Sequence, residues 1–255
     1  HSTSRRQRQM CIRDRAKITL DDVRKNKDFA ALIDRANFNL EKMGYTEHGI
    51  RHVGYVSKTT ANILREVGCD EHIIELGAIA GWIHDIGNAV NRLNHGLTGA
   101  VMSMACLEKI GMDMQDISMI IAAIGNHEEQ SGIPVNEISA ALILADKSDT
   151  HRSRVRRKNF NLNDIHDRVN MSIKKNYLAV DNESKTIRLV IIMNAEMSSI
   201  MDYFEIYLSR MIMCEKAAKF LGYKFELLIN GAVINNQDAR IGAVPGGEGK
   251  YVSEE

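Results

Sequence analysis

The sequence carries no net charge: 33 Lys and Arg offset 33 Asp and Glu over 255 residues. No global field therefore draws the chain to nucleic acid or to an anionic membrane, and neither is expected as a partner. Any site for a phosphorylated ligand must be local. Cysteine is scarce, with four residues at Cys11, Cys69, Cys106 and Cys214 and no Cys-x-x-Cys pair. That argues against a thiolate zinc site or a dithiol redox centre, and it suits free thiols in a reducing, cytoplasmic setting. Long apolar runs are missing too. The longest, from Ile117 to Ile124 and from Ile138 to Ala145, fall well short of the roughly 20 residues of a membrane span. No internal repeat and no low-complexity core stand out. What remains is an ordinary globular balance, 44% hydrophobic and 26% charged, on a chain long enough to bury a sizeable core.

Both ends read differently from the middle. Residues 1–15 are arginine-rich, lack apolar periodicity and lack a secretory hydrophobic stretch, so they read as non-native or disordered. Residues 235–255 are glycine-rich and end in Glu254-Glu255, which reads as a disordered tail. Between them the spacing predicts helices first. Thr19 caps a segment with Asp21 and Asp22 in its first turn, and Phe29, Leu32, Ile33, Ala36 and Leu40 follow at helical spacing up to Gly44. Thr46-Glu47 opens the next helix, which ends at Gly68. Asp70 to Ile86, His95 to Ile110, Asp113 to Gly125, Asn136 through Asp146 with continuation into the basic segment open, and Asp164 to Asn176 complete a helical domain over residues 16–176. Then the pattern changes. Tyr177-Leu-Ala-Val and Ile187-Arg-Leu-Val-Ile-Ile flank a turn at Asp181-Asn182-Glu183-Ser184. A helix capped by Ser198 or Ser199 and a strand from Tyr223 to Ile229 follow. The fold class expected is mainly α, with a small C-terminal α+β appendage (ββαβ, residues 177–234) too small to bury its own faces. It should pack on the helical domain or on a second copy in a homodimer.

The residues that carry chemistry are His52, the adjacent pair His84-Asp85, His95, His127 and Asp146. Each falls at a helix end or on a helix with an apolar partner face, so the side chains can converge inside a bundle. Imidazole with carboxylate is the donor set of iron, manganese or zinc rather than of calcium or magnesium alone. Neighbours on a helix point about 100° apart, so His84 reaches one cation while Asp85 leans across. A carboxylate so placed can bridge two ions about 3.5–4 Å apart, the arrangement that activates a shared water for in-line attack on phosphorus.

The pattern His52, Gly-Trp-Ile-His84-Asp85-Ile-Gly and Ala145-Asp146-Lys-Ser-Asp149 resembles the HD superfamily of metal-dependent phosphohydrolases. His95-Gly-Leu-Thr-Gly-Ala and Asn126-His127-Glu128 resemble the additional histidine positions of its binuclear members. The resemblance covers about residues 46–157. It implies an HD-domain helical bundle in which His52, His84, Asp85 and Asp146 are metal ligands, Asp85 is the bridging and catalytic one, and His95 and His127 complete a second site. The implied cofactor is two divalent metal ions, iron or manganese first, then zinc, nickel, cobalt or magnesium. The implied activity is hydrolysis of a phosphoester of a small phosphorylated compound, a nucleotide foremost, by a metal-bridged hydroxide. Asn88 stands where many relatives have Lys, and the Gly-Tyr-Pro signature of the cyclic-dinucleotide phosphodiesterases is absent. The same ligand set also resembles di-iron HD oxygenases, and a nucleotide-binding sensor without turnover is a third reading.

Substrate contacts are expected from the basic run Arg152, Arg154, Arg156, Arg157 and Lys158, with Arg152 and Arg154 first because Arg presents forked donors to phosphate. Arg152 also resembles an arginine at this offset in dinucleoside-tetraphosphate-cleaving HD relatives. Lys147 and His48 join the substrate set, His48 because a helix starting at Thr46 would stack its ring on the face of His52. The competing reading of the run is a solvated helix face. His72 and His166 read as surface residues, Trp82 as core, and Glu129 as a solvent-exposed loop acid.

Overall fold

A computed structural model describes residues 17–129, 132–156 and 161–235. Within them a helical bundle precedes a four-stranded sheet, the mainly α architecture with a small α+β appendage expected from the sequence. The expected disorder of residues 1–15, and that of the tail from residue 236 on, lies outside the described residues, as do Cys11, Arg157 and Lys158. No helix among the described residues is long and apolar enough to cross a membrane.

Helices α1 (Leu20–Lys25), α2 (Lys27–Lys42), α3 (Ile50–Glu66), α4 (Glu71–Ile83), α5 (His95–Lys109), α6 (Met114–Gly125), α7 (Glu137–Ser148) and α8 (Ile165–Ser172) follow in order. Most start on side chains that accept the free N–H groups of the first turn: Thr19, Asn26, Asp70, Asp113, Asn136 and Asp164. Helix α7 is the axis of the bundle. All its residues from Ile138 to Ser148 are buried, as the stretch Ala140 to Ala145, apolar on every side, requires. It packs against α3, α4 and α6. Each fully buried Ile or Leu there contributes roughly 1.5–3 kcal/mol.

Two glycines let the elements that carry the site approach. A Cβ on Gly81 would lie 2.7 Å from the Cα of Ser57, so α4 rests directly on α3. A Cβ on Gly87 would overlap the His95 carbonyl, so the turn after α4 lies against the start of α5.

Four expected boundaries move, the first at α4, which ends at Ile83 and not at Ile86. Helix α3 begins at Ile50 rather than at Thr46. The Glu47 N–H donates to the Arg154 carbonyl (2.8 Å), and the Glu47 carboxylate accepts from Gly49 N–H (2.6 Å), so long-range bonds take the groups a helix would use. Helix α7 stops at Ser148, and residues Arg152–Arg154 form a separate 3₁₀ turn capped by His151. Helix α8 stops at Ser172 because Ile173–Asp181 is strand β1, paired antiparallel with β2 (Thr186–Met193) along its length. The turn between them is held by Asp181 Oδ1, which accepts from Glu183 and Ser184 N–H.

Strand β3 (Lys224–Ile229) lies parallel to β2, reached through α9 (Ile200–Phe220), which Ser199 caps. A two-residue strand β4 (Ala232–Val233), not expected, closes the order β1-β2-β3-β4. The appendage buries α9 against α7 and β3. Cys214, fully buried on α9, has its thiol pushed up to about 12, chiefly by burial. Iodoacetamide at neutral pH should leave Cys214 unmodified in the folded protein and alkylate it in urea, as read by peptide mass spectrometry. Modification at equal rates in both states would place Cys214 outside the core.

Candidate metal centre

Five elements deliver six buried side chains to one point. His52 sits in the first turn of α3, and His84 caps the C-terminal end of α4. Asp85 follows with φ −96° and ψ 1°, already out of the helix. The pair therefore occupies a helix end rather than consecutive helical positions. His95 opens α5 behind Asn94, whose φ of 58° is a left-handed value that Asn tolerates. His127 lies two residues beyond α6, and Asp146 in the last turn of α7. None is more than 8% exposed.

The ring orientations share one logic. Each Nδ1 is engaged outward: His84 with the Gly81 carbonyl (2.9 Å), His127 with Ile124 (2.6 Å), His95 with Arg92 (3.0 Å) and Glu128 Oε1 (2.8 Å), and His52 with Asp149 Oδ2 (2.7 Å). With the proton on Nδ1, each Nε2 keeps a lone pair that points inward. His52 Nε2 lies 3.5 Å from Asp85 Oδ2 and 3.4 Å from Asp146 Oδ1. His84 Nε2 lies 3.5 and 3.8 Å from the same two oxygens. On the other side, His95 and His127 Nε2 lie 3.4 and 3.9 Å from Asp85 Oδ1 and 3.1 Å from each other. The two oxygens of Asp85 thus face different pairs of imidazoles.

His52 Nε2, His84 Nε2 and Asp85 Oδ2 are buried with no hydrogen-bond partner among the described residues. Such an atom costs about 1–3 kcal/mol unless something compensates. The groups His52-His84-Asp85, His84-His127-Asp146 and Asp85-His95-His127 each have ligand atoms close enough to hold a metal ion. A donor set of imidazole and carboxylate without thiolate fits a first-row transition metal.

The electrostatics agree. Burial alone would raise the Asp85 carboxyl, but the His84 ring first, and then the His95 ring, hold it well below the usual carboxylate range. At Asp146 burial is likewise outweighed, first by Lys147 and then by His52 and His84. Burial and the neighbouring His95 and His84 rings push His127 well below the ordinary imidazole value, which keeps its lone pair free. His84 is raised, because Asp85 and Asp146 together overcome the effect of burial. Two carboxylates are calling for a cation there.

Around this core lie the other residues singled out in the sequence. Lys147 is buried, with Nζ 2.7 Å from Asp146 Oδ2. His48, outside α3, still stacks edge-on against His52 with centroids 5.2 Å apart. Burial and Arg154 push its ring well below the ordinary value. Arg154 is 3% exposed, and its Nη2 lies 2.7 Å from His48 Nε2. Arg152 is exposed and does not join them. The 3₁₀ turn sends it outward, which corrects its placement beside Arg154. Glu129 is not a free surface acid, because Arg210 Nε lies 2.8 Å and Lys147 Nζ 3.7 Å from its Oε1. Trp82 is half-buried under the Arg24 guanidinium, and His72 pairs with Asp116.

A cleft of about 170 Å³ borders the cluster, lined by Tyr45, His48, Arg92, Arg154, Tyr207 and Arg210 among others; exposed His166 is at its rim. Sequence reasoning missed Arg92 and Arg210, and it quoted Asp149 in the motif around Asp146 without giving it a role. Asp149 is 1% exposed and holds His52, Arg51 and Arg154 together; its place three residues after Asp146 was the available signal.

No family model matches the chain. An uncharacterized protein of Methanocaldococcus jannaschii is 26% identical over 163 residues, covering 55% of this chain and 62% of that relative. The chain thus spans less than two thirds of the length of the curated relative it matches.

Proposed function

We propose that the chain is a metal-dependent phosphohydrolase of the HD superfamily, cleaving a phosphoester of a small phosphorylated compound, a nucleotide foremost. The observation that carries this reading is the split of Asp85, with Oδ2 toward His52 and His84 and Oδ1 toward His95 and His127. In this reading two metal ions, iron or manganese, would both draw on Asp85. His52, His84 and Asp146 complete one site, and His95 and His127 the other. Such a pair, when bound, supplies an activated water and neutralises charge on a phosphoryl group.

The remaining residues prepare that chemistry. Asp149 and Glu128 fix the tautomers of His52 and His95. Lys147 occupies Asp146 Oδ2 and leaves Oδ1 facing the histidines. Arg154 and His48 stand where the cleft meets the cluster, while exposed Arg152 drops out of the substrate set.

The test is anaerobic loading with iron or manganese, followed by metal analysis, phosphate release from a panel of nucleotides and sugar phosphates, and oxygen uptake. The expected result is two ions per chain and phosphate release that chelation abolishes and metal restores. Oxygen uptake without phosphate release would replace this reading with the oxygenase one, and metal binding with neither would leave a sensor.

A further inference from the structure

Three guanidinium groups from separate stretches of chain meet in the cleft beside the metal cluster. Arg92 comes from the turn before α5, Arg154 from the 3₁₀ turn after α7, and Arg210 from α9 in the C-terminal unit. Their local partners differ. Arg154 is engaged by the Asp149 carbonyl (2.9 Å) and by His48. Arg210 lies against Glu129. Arg92, half-buried, forms no ion pair among the described residues. Its Nη1 lies 3.4 Å from Asn88 Oδ1 and 3.3 Å from His95 Nε2, the ring atom that faces Asp85. An anion gripped by Arg92 would therefore sit at the edge of the cluster.

Two of these arginines share a further feature. The Arg92 guanidinium lies 5.3 Å from the centre of the Tyr45 ring, and that of Arg210 lies 5.1 Å from the Tyr207 ring. The Tyr207 hydroxyl is itself tied down, donating to Asn170 Oδ1 (3.0 Å). A tyrosine face orders a guanidinium without cancelling its charge. Two acids also line the cleft, Asp164 and Asp167, each held by backbone N–H groups. Asp164 accepts from the backbone of His166 and Asp167, and Asp167 from that of Asn161. The cleft thus presents ordered forked donors, and Arg92 is the one of the three arginines that no carboxylate meets among the described residues.

We infer that Arg92 and Arg210 bind the phosphoryl group of the substrate, a phosphomonoester dianion, and that the C-terminal unit completes the site through α9. The inference builds on the hydrolase reading and names the charged end of its substrate. A monoester dianion offers these forked donors more charge and one more free oxygen than a diester monoanion does. The C-terminal unit is then part of the binding machinery, and not only a cover for the bundle.

Calorimetric titration of the metal-loaded protein with phenyl phosphate and with its methyl diester tests this, with metal content and melting temperature measured on each variant. Arg92→Gln and Arg210→Gln should each weaken phenyl phosphate at least tenfold at unchanged metal content. Arg152→Gln should bind like the parent, and the diester should bind weakly throughout. Arg210→Lys keeps a partner for Glu129 but loses the fork. It should fold and bind several-fold more weakly even if Arg210→Gln does not fold. Parental phenyl phosphate affinity in Arg92→Gln and in the folded Arg210 variants would overturn the assignment, and equal binding of monoester and diester would overturn the dianion. Phenyl phosphate bound through both arginines, with no phosphoester in the panel hydrolysed, would uphold it and sink the hydrolase reading instead.

Discussion

Asp85→Asn should bind fewer than two metal ions per chain and lose at least a hundredfold in turnover, about 2.7 kcal/mol of transition-state stabilisation. The reason lies in how the carboxylate is held. Asn88 Nδ2 donates to Asp85 Oδ1 (2.9 Å), while Oδ2 is buried between His52 and His84 with no hydrogen-bond partner among the described residues. An asparagine will keep its oxygen toward the Asn88 donor, because two amide NH₂ groups repel. That places its own NH₂ where Oδ2 was, donating to the Nε2 lone pairs of His52 and His84 that should hold a metal. The site of His52, His84 and Asp146 is lost. The site of His95 and His127 keeps a neutral oxygen and binds weakly. The negative charge that would offset repulsion between two dications is gone as well. The bundle should still fold, since no apolar face changes, and the metal-free variant should melt within a few degrees of the metal-free parent. Two bound ions and near-parental turnover in Asp85→Asn would end the bridging assignment.

Much of the helical part was legible because its signals are local. Caps such as Thr19 and Ser199 and the apolar spacing of α2 depend on neighbours a few residues away. The six residues that form the cluster were legible for a related reason. His84-Asp85, His95 and His127 all fall where a helix starts or stops, and such ends aim side chains into the bundle. The errors arose where a distant segment outbid a local preference. Glu47 was a sound helix start until the Arg154 carbonyl took its N–H. Lys174 to Asn176 had no strand signature, and only pairing with β2 makes them one.

The arginines show the limit most clearly. Arg152 ranks beside Arg154 on its resemblance to an arginine at that offset, and Arg154 on the face that a continued α7 would turn toward Asp146. The chain instead leaves the helix at Ser148, and the turn capped by His151 sends one outward and one inward. Arg92 stands alone in a turn, and Arg210 sits among Leu208, Met211 and Ile212 on a helix far along the chain. Nothing in either stretch marks a binding role. Only the docking of α9 onto α7 brings Arg210 to Glu129 and to the cleft.

Asp149→Asn should produce a different failure from Asp85→Asn, and the contrast separates orientation from ligation. Asp149 touches no metal-facing atom. Its Oδ2 accepts from His52 Nδ1 (2.7 Å) and Arg51 Nη2 (2.7 Å), Oδ1 faces Arg51 Nη1 (3.3 Å), and Arg154 Nε lies 3.8 Å away. The His52 hydrogen bond and the arginines hold its carboxyl below the usual range against the effect of burial. The amide keeps the shape but supplies no charge to polarise the imidazole or to match Arg154. Removing one partner of a buried ion pair costs about 3–5 kcal/mol. Arg51 keeps Glu47 (2.8 Å) and its side chain is 34% exposed, so the loss in unfolding free energy should fall at the lower end, near 3 kcal/mol. Metal affinity at the site holding His52 should drop about 10–100-fold, the usual effect of removing an orienting carboxylate. All six ligands remain, so excess metal should restore most of the turnover, which it cannot do for Asp85→Asn. Metal titration read by activity, alongside urea unfolding of the metal-free protein, measures both quantities. Parental metal affinity with lowered stability would confine Asp149 to holding Arg51 and Arg154, with no hand in how His52 presents its lone pair.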